Sequence, residues 1–137
     1  MFKLNFATPD RKVVSDAELE EITLPAFAGE LNILPGHSPI MTSLEAGILS
    51  YKLKGEETRK FAVSWGYCQV SSEGVNVLAE SAVVSEEIEI KVVQEHLKEQ
   101  EARLAEESMD DSDWEKAQHE IARLKAEVEM FNLGKTH

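Results

Sequence analysis

Four histidines, one cysteine and many carboxylates are the side chains here that could do chemistry. His37 lies in a Pro-Gly turn, His96 and His119 in helical stretches, and His137 at the end of the chain. No two share metal-ligand spacing on one element. Cys68 has no second thiol for a disulfide or a thiolate metal cluster. It alternates with Val70, the register of an inert core thiol. A Cys68–His37 nucleophile pair would be the enzymatic reading, and it requires a turnover lost on Cys68→Ala or His37→Ala. Carboxylates are plentiful, but Glu87–Lys91, Glu99–Arg103 and Lys116–Glu120 are ordinary i,i+4 partners on helix faces. Gly134-Lys135-Thr136 resembles the end of a phosphate-binding loop, yet Glu129 stands where its first glycine belongs and a helix precedes it. That match is chance. No catalytic, metal or cofactor-binding residue is assigned.

The segment Gly29–Ile40 carries more information. Two prolines, two glycines, one histidine and four aliphatic residues share it. Pro35-Gly36 is a turn pair, with proline fixing φ and glycine accepting a positive φ. Ser38-Pro39 returns the chain to an extended path. The aliphatic side chains require an apolar surface beneath, so this is a structured loop of the kind that serves recognition. His37 reads either as a turn histidine bonding backbone or as a contact residue of a docking loop.

Charge narrows the partners. The chain of 137 residues carries a formal net charge of −12 and a pI near 4.7. Nucleic acid is excluded, since phosphates require clustered Lys and Arg, and so is direct docking on anionic lipid. Partners with basic surface fit better. Nothing approaches eighteen consecutive apolar residues, so no membrane span is expected. Alternation begins at Met1–Phe6, which argues against a leader peptide. The expected location is cytosolic, at the surface of a membrane assembly.

The elements that must hold these residues change period near Ser85. Residues 1–85 alternate: Phe2, Leu4, Phe6; Ile22, Leu24; Leu49, Tyr51, Leu53; Phe61, Val63, Trp65; Val75, Val77, Ala79. Lys52, Lys54, Lys60, Ser64 and Asn76 fall on the other face, and Gly66 marks a bulge or bend. This predicts an antiparallel β-sandwich or flattened barrel. Residues 86–137 predict an antiparallel two-helix hairpin, giving an α+β class with the two kinds of structure segregated. Trp114, Ala117, Ile121, Leu124, Val128 and Phe131 form one stripe, with Ser112 as N-cap, Glu115 at N3 and Gly134 just past the end. Ile90, Val93, Leu97 and Leu104 form a second, broken at Gln100. Residues 106–111 connect them. Such a hairpin must bury its stripe on the sandwich or on another subunit, and that choice is a switch in embryo.

The run Gly29-Glu30, Ile33-Leu34-Pro35-Gly36-His37, Pro39, Thr42, Leu44 and Gly47 resembles the signature of the epsilon subunits of bacterial and chloroplast F-type ATP synthases. Phe61–Val70 and Val75–Ala82 resemble that family's second block, and the order of elements extends the likeness over essentially the whole chain. The resemblance implies a noncatalytic rotor component whose sandwich binds the gamma subunit and stands on the c-subunit ring, coupling proton-driven rotation to ATP synthesis. It sets Glu30, Leu31 and Asn32, with His37, at that interface, on the cytoplasmic face of a bacterial inner membrane rather than a thylakoid. It implies a regulatory hairpin whose Lys116, Arg123 and Lys125 would meet acidic segments of the catalytic alpha and beta subunits. Each of these cations has carboxylate neighbours, so weak or absent inhibition of hydrolysis is expected. Some members bind ATP at the start of the first helix. Here Glu89 and Val92 stand in the places of that motif's aspartate and arginine, so no nucleotide cofactor is expected. The alternative is a free-standing acidic adaptor, a β domain with a coiled-coil arm.

Overall fold

Alternation of apolar and polar residues builds the first part of the computed structural model, which describes residues 2–106 and 110–135. Nine strands run in order: β1 (Lys3–Ala7), β2 (Lys12–Ala26), β3 (Gly29–Ile33), β4 (Ile40–Leu44), β5 (Gly47–Leu53), β6 (Arg59–Val63), β7 (Gly66–Ser71), β8 (Gly74–Ala79) and β9 (Ala82–Val83). They pair along the path β1-β8-β7-β4-β2-β5-β6-β9, with β3 on β2. β1 also pairs with β2, bringing the two layers together along one side. All pairings are antiparallel except β1–β8. The in-phase residues form a core between the layers, including Leu4, Phe6, Ile22, Leu24, Leu49 and Val75. The Phe6 ring meets Tyr51 and Phe61 edge-on at its centre.

One long strand serves both layers because it bends. Ser15 and Asp16 of β2 face the single Asn5 of β1, a β-bulge. Asp16 there has φ 47°. Its N–H donates to Asn5 Oδ1 at 2.9 Å, and Asn5 Nδ2 donates back to Asp16 Oδ1 at 3.2 Å. β2 pairs with β1 on both sides of the bulge, as far as Glu18, and from Leu19 onward with β5, β3 and β4.

After one 3-10 turn (Ser85–Glu87) come α1 (Ile90–Glu106) and α2 (Asp111–Lys135). The hairpin is docked. α2 lies on β5, β6 and the 3-10 turn, and α1 packs on α2. Ala62, Ile88, Val93, Leu124, Ala126 and Met130 form a second core, joined by Ile48 and Val83. β6 is therefore apolar on both faces, with Phe61 and Val63 inward and Ala62 toward the helices.

Several local expectations change. Asp110, not Ser112, caps α2: Asp113 N–H donates to Asp110 Oδ1 at 2.8 Å. Gly134 lies inside α2, not past its end. A Cβ on it would meet Ser85 Oγ at 2.5 Å, so the glycine serves close packing. Trp114 is half-exposed, because the buried stripe of α2 starts at Ala117. Trp65 leaves the alternation at a bend between β6 and β7. Ser64 is fully buried, its hydroxyl 2.7 Å from that of Ser81. Glu87 turns to the Val84 N–H and Arg11, and Glu120 to Arg123, in place of the expected lysines. His137 and most of the connection between the helices lie outside the described residues.

Candidate partner-docking surfaces

The first surface starts from the Pro-Gly turn. Leu34 C=O accepts from His37 N–H at 3.1 Å, with Pro35 and Gly36 between and Gly36 at φ 90°. That is a type II turn, the geometry this pair selects. His37 Nδ1 donates to Ser38 C=O at 2.7 Å, so half of its imidazole is occupied locally. Glu30, Leu31 and Asn32 sit on β3, a strand rather than the expected loop. β3 pairs only with β2 and is an edge. Period 2 separates its residues: Leu31 packs against the core, while Glu30 and Asn32 point out. Asn32 Nδ2 is held by Thr23 Oγ1 at 2.8 Å. Phe27 and Leu34, flanking the strand, are largely exposed.

A second surface was not foreseen. On the outer face of β4, β7 and β8 the register aligns Ser43, Tyr67 and Leu78 in one row and Met41, Gln69 and Asn76 in the next. Met41, Tyr67 and Leu78 are exposed, Met41 at 68%. The signal was present in the sequence. These three are apolar residues out of phase with the buried set on their own strands. The hairpin covers the outer face of β5 and β6 instead, leaving this one open.

The third region is the hairpin seam. Arg123 donates to both Glu120 and Glu127. Its hydrogen bond holds the Glu120 carboxyl below the usual carboxylate range. Burial pushes Glu127 up, against the pull of the same guanidinium. Of the three regulatory cations expected, Arg123 is thus committed within α2, while Lys116 and Lys125 are exposed. These residues do not fit a nucleotide polyphosphate. Val92 is an exposed aliphatic where a cation would be required, and Arg123 already faces two carboxylates. Cys68 is sealed in the core and burial pushes its thiol up to about 12, which leaves no thiolate for the nucleophile reading. Among the described residues, no cluster of three His, Cys, Asp or Glu is placed to hold a metal.

Edge strand, open apolar row and docked hairpin define a binding module that works through its faces. The first 85 residues match the family model described as ATP synthase, Delta/Epsilon chain, beta-sandwich domain. The ATP synthase epsilon chain of Bdellovibrio bacteriovorus is 47% identical over 93% of this chain and 91% of its own length. That of Geobacter metallireducens is 37% identical over 98% and 94%. The fold matches a chain of the Euglena gracilis mitochondrial ATP synthase with OSCP, F1 and c-ring, at TM-score 0.79 and 21% identity, covering 99% of this chain and 81% of that one. It also matches a chain of the Tetrahymena thermophila central stalk and c-ring, at TM-score 0.68 and 13% identity, over 95% and 96%. This chain belongs to the family of ATP synthase delta and epsilon chains, noncatalytic subunits of the central stalk of that enzyme. The complex is membrane-associated, and no helix of the described residues is long and apolar enough to cross a membrane itself.

Proposed function

We propose that this chain joins the gamma subunit to the c-subunit ring, with a different surface for each, on the cytoplasmic face of a bacterial inner membrane. The open face with Met41, Tyr67 and Leu78 carries the reading: it is an exposed, partly apolar sheet face that the chain's own hairpin leaves uncovered. Exposed aromatic and methionine side chains on a flat sheet are the composition of an interface core. Gamma takes this face. The β3 edge, with Glu30 and Asn32 outward and the His37 turn beside it, meets the polar loops of the c ring. Proton-driven rotation of the ring then reaches the catalytic head through a rigid body. The hairpin is the regulatory part. Lys116 and Lys125 are its exposed cations toward alpha and beta, and its hold on hydrolysis is weak because Arg123 is already paired.

Glu30→Cys tests the ring contact cleanly, since Cys68 is buried and will not compete for crosslinker. Crosslinks to cysteines in c-ring loops are expected in the assembled enzyme. Elution of the chain apart from gamma and the ring would overturn the proposal and favour the free adaptor.

A further inference from the structure

The layer β3-β2-β5-β6-β9 finishes its two edges differently. At one end β9 is two residues long, and Arg11 donates to its Ala82 C=O at 3.1 Å. At the other, β3 is five residues long, without a bulge, proline or lysine to blunt it. It pairs with β2 alone, so among the described residues its far side is open.

Register fixes which groups face that side. Pro25 of β2 stands opposite Glu30 and has no N–H to give, and its C=O accepts from Glu45 N–H at 2.8 Å. Pro25–Glu30 is therefore a pair without hydrogen bonds. So is Thr23–Asn32 two residues on, Thr23 pairing with Ser50 across the other side of β2. Leu24–Leu31 between them exchanges the bonds. The N–H and C=O of one strand residue point the same way, so those of Glu30 and Asn32 all point out of the sheet edge. Two donors and two acceptors stand in a row there, bracketed by the exposed Phe27 and Leu34.

We propose that β3 binds an extended basic segment of the ring's polar loops as an added strand. The outward N–H and C=O of Glu30 and Asn32 hold its backbone, and a Lys or Arg of the segment faces the Glu30 carboxylate. This rests on the reading that the β3 edge meets the c ring. Charge selects that occupant over a second copy of the chain, because two bodies of net charge −12 repel while a basic segment is attracted.

Hydrogen exchange and a proline scan separate backbone from side chain. In the free chain the Leu31 and Ile33 amides, bonded to β2, should be protected and those of Glu30 and Asn32 open. In the assembled enzyme the latter two should gain at least about tenfold protection. Proline at position 32 removes an N–H that the β2–β3 ladder does not use, so Asn32→Pro should leave the β7–β8 amides protected. It should lower the yield of ring crosslinks from Glu30→Cys about fivefold, the scale of one main-chain hydrogen bond. Asn32→Ala, which keeps the N–H, should leave that yield within about twofold. Crosslinking with both amides still open in the assembly, or with equal yields for Asn32→Pro and Asn32→Ala, would overturn strand addition and leave a side-chain contact. Absence of any crosslink would overturn the ring reading beneath it. Protection of the two amides on concentrating the free chain would make a second copy the occupant and overturn the proposal as well.

Discussion

Gly66 and Gly36 both resist a side chain, for different reasons and to different degrees. A Cβ on Gly66 would sit 1.8 Å from Leu78 O and 2.9 Å from Ala79 Cα, backbone of the partner strand that cannot yield. A Cβ on Gly36 meets nothing within 4 Å and is opposed only by φ +90°. Gly66→Ala is therefore expected to cost about 3 kcal/mol or more, and Gly36→Ala about 1–2 kcal/mol, in denaturant unfolding. Equal losses would show that conformation alone sets both. Cys68 gives a second check at this scale. With its thiol pushed up to about 12, a thiol reagent at pH 8 should modify it only at the rate of unfolding. Fast labelling of the native chain would contradict the burial. The apolar phase of each strand was legible because burial follows a period of two. Ser64 was not, because its partner Ser81 lies seventeen residues away and nothing local marks a buried hydroxyl pair.

At the scale of elements, α2 is held near both ends. Trp65 and His119 meet near its start, while Gly134 in its last turn presses on Ser85. A side chain at position 134 would strike Ser85 Oγ at 2.5 Å and Cβ at 2.7 Å and lift that end. Gly134→Val should cost about 1–3 kcal/mol of hairpin docking, seen as faster exchange around Met130 while the sandwich amides stay protected. Ser85→Gly in the same chain should restore part of the loss, and a purely additive pair would refute the contact. The two-helix pattern was legible from its 3- and 4-residue steps. Its cap was not, since Asp110, Asp111, Ser112 and Asp113 are all capping residues and only the path of the first turn selects one. Posture was equally hidden. α2 buries Ile121 and Leu124 but also Ala126 and Met130, and no periodicity says which set meets the sandwich.

Across the whole molecule, one outer face of the sandwich is covered by the chain itself and the opposite one is bare. This predicts a double dissociation. Tyr67→Lys places a charge in the bare apolar row without touching the core, since Tyr67 is 48% exposed. Unfolding should stay within about 0.5 kcal/mol of the parent. Affinity for the stalk should fall by at least about thirtyfold, as when an interface anchor worth about 2 kcal/mol is lost. Gly134→Val should do the reverse, loosening the hairpin while leaving stalk affinity unchanged, because α2 lies chiefly on β5 and β6. The same variant tests regulation in the assembled enzyme. Released helices would present Lys116 and Lys125, but the carboxylates that hold Arg123, Glu120 and Glu127, are on its own helix, so release from the sandwich does not remove them. ATP hydrolysis is therefore expected to change by less than about twofold, the scale of two solvent-exposed charges. A many-fold fall in hydrolysis on loosening the hairpin would show that Arg123 exchanges its partners for the catalytic head. Loss of stalk binding by Gly134→Val would place the gamma contact on the covered face instead.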